Sequence, residues 1–217
     1  MGTREVASDA RGYSIEVGQD GSIRTIRFRD RQLDTSLGST FYELNGLPAV
    51  AEQDGDGIRL RADGVSGHVS LDAGDELIMR MRGGRGAKLT TWSMTLTLPL
   101  SAEFHLAEYV NTGRMLDKDM PAGEFYRGKL AYNFLVAGCE GVWLRFMSRA
   151  RPLGQLEVQV DRHGRMFMLT LTWHLDEGGA GERDARLGFY ASLDEALADH
   201  AGRLAHAALP VDGRQPH

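Results

Sequence analysis

Between Tyr13 and Leu175 the chain returns again and again to one pattern, apolar residues at every second position, interrupted by turns that contain glycine. A period of two sends alternate side chains to opposite faces of an extended strand. A helix cannot satisfy it, because a helical apolar stripe recurs every three to four residues. In YSIEVGQDGSIRTIRFRD, Ile15 and Val17 precede a QDG turn and Ile23, Ile26 and Phe28 follow it, which predicts a hairpin. GIRLRADG, with Ile58 and Leu60, and GHVSLDAGDELIMRMRGG repeat the pattern around Asp-Gly and Ala-Gly-Asp turns. LTTWSMTLTLPL sorts into two faces: Trp92, Met94, Leu96 and Leu98 toward a core, and Thr91, Ser93, Thr95 and Thr97 outward or into a groove. KLAYNFLVAG and GVWLRFMSR, on either side of CEG, read as adjacent antiparallel strands. GQLEVQVDRHGRMFMLTLTWHL reads as another pair that turns at DRHGR. The run from Met166 to Leu175 is too apolar for a solvated edge, so a central strand is expected there.

The period changes only at the end. In ASLDEALADHAGRLAHAAL, Leu193, Ala196, Leu197, Ala201, Leu204 and Ala208 follow helical spacing, and Ser192 with Glu195 forms an S-x-x-E capping box that marks the helix start. The expected class is therefore all-β: a large two-sheet antiparallel β-sandwich of about ten strands with one C-terminal α-helix. Residues 1–12 are expected to be a flexible N-terminus, 13–209 a single domain ending in a helix at about 192–208, and 210–217 a flexible tail. EGGAGERDA, from Glu177 to Ala185, is expected to be a flexible acidic loop.

With 217 residues, 42% of them hydrophobic and 25% charged, the chain can bury one large core. A net charge of -5, with arginines scattered from Arg4 to Arg214, argues against a surface that tracks phosphates, so no nucleic acid partner is expected. Cys139 is the single cysteine; it has no internal disulfide partner, follows a glycine in an apolar run, and is expected to be buried and inert. No signal-peptide pattern and no apolar run of the ~20 residues a membrane span needs is present. The expectation is a soluble, cytoplasmic chain with no membrane partner. Metal spacings such as H-E-x-x-H or paired C-x-x-C are absent, as are the phosphate loop and the G-x-S-x-G elbow, so no metal and no cofactor is expected. GGRGAK is expected to be a turn.

Two histidines, His105 in EFHLAEY and His174 in LTWHL, sit on strands among aromatic neighbours, and a histidine beside a carboxylate can serve as an acid/base pair. Between Asn111 and Asn133, NTGRMLDKDMPAGEFYRGKLAYN crowds ions, amides, rings and glycines together. Asp117, Asp119 and Glu124 are offset by Arg114, Lys118, Arg127 and Lys129, so the segment is nearly neutral and is not an acidic metal cage. Tyr109, Phe125 and Tyr126 supply ring surface, and Gly113, Gly123, Gly128 and Pro121 punctuate the backbone. This reads as an ordered loop entering a central strand near Lys129. It serves either as a binding loop or as a connection between sheets held by Asp–Arg pairs. A sugar presents apolar C–H faces and a rim of hydroxyls, which suits aromatic platforms ringed by Asn, Asp, Glu and Arg. The candidate ligand-binding residues are Trp92, Tyr109, Asn111, Arg114, Tyr126 and Arg127. The candidate acid/base residues are His105, Glu108, Asp117, Glu124 and His174.

Three segments, taken in order, resemble the galactose-mutarotase-like β-supersandwich that precedes the barrel domain of glycoside hydrolases. They are YSIEVGQDGSIRTIRF, similar to the first hairpin of such domains; KLAYNFLVAGCEGVWLRFMS, like the central pair that turns through a glycine; and RLGFYASLDEALADHAGRL, like the strand and helix leading into the barrel. The resemblance implies a sandwich with a concave sheet, which in true mutarotases holds catalytic histidines and a glutamate around a free sugar. This chain departs from that pattern: YNFL, from Tyr132 to Leu135, lacks the histidine, and no asparagine-histidine motif occurs. The likeness implies a carbohydrate-binding or accessory protein associated with glycoside processing. Its expected partners are a carbohydrate or other small polar ligand and a separate catalytic subunit or a second copy of the chain. The alternatives are a sugar- or small-molecule-modifying enzyme of the epimerase, isomerase or lyase type, using acid/base residues in the concave face, and a structural partner subunit.

Overall fold

The computed structural model describes residues 2–35, 40–84, 88–108, 114–116, 123–139, 141–148, 156–175 and 183–199. Along them run β1 (Thr3–Ser8), β2 (Tyr13–Gly18), β3 (Ile23–Phe28), β4 (Arg31–Asp34), β5 (Phe41–Leu44), β6 (Leu47–Asp54), β7 (Gly57–Ala62), β8 (Val65–Ala73) and β9 (Leu77–Gly83). They continue as β10 (Thr91–Pro99), β11 (Glu103–Glu108), β12 (Arg114–Leu116), β13 (Gly123–Cys139), β14 (Val142–Ser148), β15 (Leu156–His163), β16 (Met166–His174) and β17 (Arg183–Tyr190). A helix, α1, follows over 193–199. The described strands number 17 where about ten are expected from pattern, because elements as short as β4, β5 and β12 show no measurable period.

The strands form an antiparallel four-stranded sheet, β1-β2-β3-β4, and a 13-stranded sheet in the order β12-β11-β13-β14-β17-β9-β8-β7-β6-β5-β10-β16-β15, with a further pairing between β15 and β13. Two strands change partners midway. β6 pairs with β5 through Leu47 to Ala49 and with β7 through Val50 to Asp54. β13 pairs with β15 through Gly123 to Lys129 and with β14 through Phe134 to Cys139. The large sheet therefore doubles over itself. One half is β5, β10, β16 and β15, and the other is β7, β8, β9, β17, β14 and β11. This is the all-β, two-sheet antiparallel sandwich expected from the alternation, with one described helix at its C-terminal end.

Inward-facing residues of both halves share one core. Trp92, Met94, Leu96 and Leu98 of β10 and Phe167, Leu169, Leu171 and Trp173 of β16 meet Leu135, Leu144, Phe146, Leu187 and Phe189 of the other half. Phe104 of β11 touches Phe167 of β16 edge-on, centroids 5.2 Å apart, and Trp92 stacks on Trp173 at 4.2 Å. β16 lies between β10 and β15, the central position its apolar composition demands. Cys139 is buried and carries a free thiol.

The small sheet packs into the same core through Ile15, Val17, Ile23, Ile26 and Leu33, and Tyr13 stacks on Phe189 at 4.1 Å. Thr3–Ser8, expected to be flexible, is strand β1, paired with β2 along its whole length. Only Val6 of that strand is buried, so backbone hydrogen bonds hold it and the apolar pattern carries almost no trace of it.

β5 turns into β6 through Asn45 (φ 52°) and Gly46 (φ 75°), a two-residue turn whose positive φ values favour this residue pair. The Asn45 side chain also clamps β10. Its Oδ1 accepts the N–H groups of Thr90 (2.7 Å) and Thr91 (3.2 Å), and its Nδ2 donates to the Lys88 carbonyl (2.9 Å). Asn45→Ala loses the clamp and strains the turn, with an expected cost of about 1–2 kcal/mol in denaturant unfolding. Asn45→Gly loses only the clamp and falls below that.

The capping box forms. Ser192 Oγ accepts the Glu195 N–H (3.2 Å), and the Glu195 carboxylate accepts the Ala191 N–H (3.1 Å), one residue earlier than the usual reciprocal contact. Leu193, Ala196 and Leu197 pack on Val136, Trp143, Met147 and Tyr190, on the outer face of the half that contains β13, β14 and β17. Of the loop expected from Glu177 to Ala185, the last three residues are instead the start of β17, because Arg183, Asp184 and Ala185 pair with Met81, Arg80 and Met79 of β9. The rest of that loop, the continuation of the helix past 199 and the tail lie outside the described residues.

Candidate functional site

With the inner positions of β5, β10, β16 and β15 apolar, the period of two commits their other positions to the outer face. Register turns these positions into polar rows. Glu43, Ser93, Thr172 and Glu157 lie side by side across the four strands, and Phe41, Thr95, Thr170 and Gln159 form the next row. Thr97, Met168 and Asp161 form a third. Ser93 and Thr172 share a hydrogen bond of 2.9 Å, as do Thr95 and Thr170 at 2.8 Å. Thr97 donates to the Thr35 carbonyl at 3.0 Å, so the chain following β4 covers that end of the row.

Above this face opens a cleft of about 610 Å³, within the range of small-ligand sites. Thr95, Thr170 and Met168 line it from β10 and β16, Gln159 and Asp161 from β15, and Phe41, Tyr42 and Glu43 from β5. Pro48, Ala49 and Ala51 of β6, together with Asp20, Ser22 and Thr40, complete the lining. Phe41 is 54% exposed, an apolar ring left in water beside hydroxyls and carboxylates. Gln159 Nε2 donates to Asp161 at 2.9 Å, and the Ser22 hydroxyl donates to Asp20 at 2.6 Å. The Ser22 hydrogen bond, aided by the Ser22 N–H and by Arg24 at 3.5 Å, holds the Asp20 carboxyl below its ordinary pKa, so it is ionised at neutral pH. Burial pushes the Tyr42 hydroxyl far above its ordinary value, and it donates to the Gly21 carbonyl at 2.9 Å.

One row further along the same face, Glu157 joins two residues marked as candidates from the sequence. Arg127 Nε donates to Glu157 Oε1 at 2.9 Å, and His174 Nε2 lies 3.2 Å from Glu157 Oε2. Partial burial by itself raises the Glu157 pKa, but hydrogen bonds from Arg127 and His174 outweigh it and leave the carboxyl below the ordinary value of 4.5. A lowered folded pKa means that the contribution to stability is present above the ordinary value and is lost as pH falls through the folded one. Denaturation curves collected from pH 6 downward are expected to show a shallower acid loss in Glu157→Gln than in the wild type, below pH 4.5.

The two candidate histidines do not converge. His105 shares a cross-strand row with Val136 and Arg145, on the face covered by α1, whereas His174 lies on the outer face of the other half. Desolvation lowers the His105 pKa and favours its neutral form. Trp92 is 1% exposed and points into the core, where β10 alternation sends it, rather than toward the cleft. By backbone position, Glu124 lies opposite Asp161, Tyr126 opposite Val160, Glu108 opposite Leu130 and Arg114 opposite Leu106. Tyr109, Asn111 and Asp117 lie outside the described residues. Strand β13 starts at Gly123 rather than near Lys129, so much of the segment read as a loop is strand.

Asp20, Phe41, Glu43, Gln159 and Asp161 were not singled out from sequence. The alternation in LEVQVD does put Glu157, Gln159 and Asp161 opposite the buried Leu156, Val158 and Val160. Nothing local marks those three as neighbours of the threonine stripe. Among the described residues, no group of three or more His, Cys, Asp or Glu could hold a metal ion, and no helix is long and apolar enough to cross a membrane.

No protein-family model matches the chain, and no curated protein sequence matches it. Among solved structures it is similar to α-N-acetylgalactosaminidase NagBb from Bifidobacterium bifidum. The complex of that enzyme with GalNAc aligns with a TM-score of 0.65 at 8% identity, over 94% of this chain and 39% of that one. The ligand-free form aligns with a TM-score of 0.63 at 9% identity, over 95% of this chain and 39% of that one. At such identity the likeness is one of fold: this chain has the architecture of a part of a glycoside hydrolase, spanning 39% of its length.

Proposed function

We propose that the chain is a carbohydrate-binding or accessory β-sandwich associated with glycoside processing, and that the cleft over β5, β10, β16 and β15 is its ligand site. The observation that carries this reading is the exposed Phe41 ring at a cleft lined by threonine hydroxyls, an amide and carboxylates. Such a surface offers a platform for the C–H face of a sugar and acceptors and donors for its hydroxyls. The fold shared with part of a glycoside hydrolase supports the association with glycosides. In this reading the chain works beside a separate catalytic chain.

Calorimetric titration with neutral oligosaccharides tests the proposal. Phe41→Ala removes the platform at an exposed position and is expected to weaken binding about 10-fold, with little change in unfolding midpoint. Thr95→Val, which keeps the shape but removes a hydroxyl, is expected to weaken it about 5-fold. Affinity untouched by both variants, or no binding to any oligosaccharide, overturns the reading.

The pairing of His174 with Glu157 on the same face favours a second reading, acid/base catalysis on a sugar. Turnover of a sugar that disappears in both His174→Ala and Glu157→Gln supports it.

A further inference from the structure

We infer that the cleft selects amino sugars bearing a free, protonated amine over their N-acetylated and their acidic counterparts. This inference rests on the carbohydrate reading of the same cleft and names the class of sugar it takes. The cleft is defined by its shape, the Phe41 ring and the threonine hydroxyls; its charge then chooses among the sugars that fit. Among the described residues that line it, three carry ionisable carboxyl groups, Asp20, Glu43 and Asp161, and none is an arginine, lysine or histidine. Among the described residues, the nearby cations Arg24, Arg127 and His174 are already paired with carboxylates. Arg24 lies 3.5 Å from Asp20, and Arg127 is paired with Glu157 one row away, with His174 on the other Glu157 oxygen.

Asp161 receives a hydrogen bond from the neutral amide of Gln159, with no cation paired to it among the described residues, and Glu43 sits at the exposed rim on β5. An ammonium group carries three donors and a positive charge, and carboxylates accept without donating. A protonated amine on a sugar therefore gains attraction in this cleft that an acetamide does not. A uronate brings a fourth carboxylate to a surface that already holds three.

The test is calorimetric titration at pH 6 with glucosamine oligomers, the corresponding N-acetylglucosamine oligomers, galacturonate oligomers and spermine. The amine-bearing oligomers are expected to bind about 10-fold tighter than the N-acetylated ones, and the galacturonates weakest. Raising salt from 50 mM to 500 mM is expected to shrink the preference, because exposed charge attraction is screened. In the double variant Glu43→Gln with Asp161→Asn, the ratio of the two affinities is expected to fall toward one. Equal or tighter binding of the N-acetylated oligomers, or a ratio unchanged in the double variant, overturns the inference while leaving the carbohydrate reading in place. Spermine binding as tightly as the amino sugar also overturns it, since charge alone would then account for the affinity. Absence of binding by every oligosaccharide removes both.

Discussion

Glu76→Ala is expected to lower the unfolding free energy by about 3–5 kcal/mol, the largest polar effect among the described residues. The Arg145 side chain is 0% exposed, on the outer face of β14 beneath α1. One of its terminal nitrogens pairs with Glu76, which is 4% exposed, and the other with Asp199 of α1. The Tyr190 hydroxyl donates to Asp199 at 2.6 Å, and the Tyr190 ring lies 5.2 Å from the Arg145 guanidinium carbon. Arg186 also reaches Glu76, at 3.3 Å. One carboxylate thus faces two guanidinium groups, and its removal leaves Asp199 as the one carboxylate paired with the buried Arg145 among the described residues. Chemical denaturation of Glu76→Ala, Glu76→Gln and Asp199→Asn tests this. Glu76→Gln keeps a hydrogen-bond acceptor and should lose less than Glu76→Ala. Asp199→Asn should lose less again, because its side chain is 36% exposed. A loss below about 1 kcal/mol in Glu76→Ala would show that water reaches Arg145 and that the network does not hold the helix.

Trp173→Ala is expected to cost a comparable amount, about 3–5 kcal/mol, through the cavity it leaves against Trp92. The two indoles are 2% and 1% exposed and stack across the β10–β16 pairing, at the end of the core that lies beneath His174. Neither indole Nε1 has a hydrogen-bond partner among the described residues. Trp173→Phe therefore deletes an unsatisfied buried donor while keeping ring contact, and it is expected to cost well under half of the alanine loss. Equal losses in the two variants would mean that the indole is held by a polar contact rather than by packing.

Much of the architecture was legible in the chain. The runs that became β2 and β3, β7 to β10, and β13 to β16 announced themselves through alternation and glycine turns. The capping box at Ser192 marked the start of α1. Thr91, Ser93, Thr95 and Thr97 were readable as one face opening outward or into a groove, and Thr95 does line the cleft. β1, with one buried residue, and β5, with four residues in all, carried too little pattern to be seen. The candidate site was legible only in fragments. His105 and His174 look alike in sequence, each on a strand beside an aromatic residue, but β11 and β16 belong to opposite halves of the folded sheet. Their side chains consequently leave the sandwich in opposite directions.

By itself the sequence determined, for the strands long enough to show alternation, which side turns to the core, because the pleat alternates residue by residue and needs no distant partner. It likewise settled where turns and the helix begin, which glycine, asparagine and a serine cap decide locally. Only the tertiary structure decided which outer faces adjoin. β6 and β13 exchange partners midway and fold the sheet over, so Asp20, Phe41, Thr95 and Asp161 line one cleft although long stretches of chain separate them. That arrangement depends on register and strand order, which arise from the joint packing of all the strands and are written in no single segment.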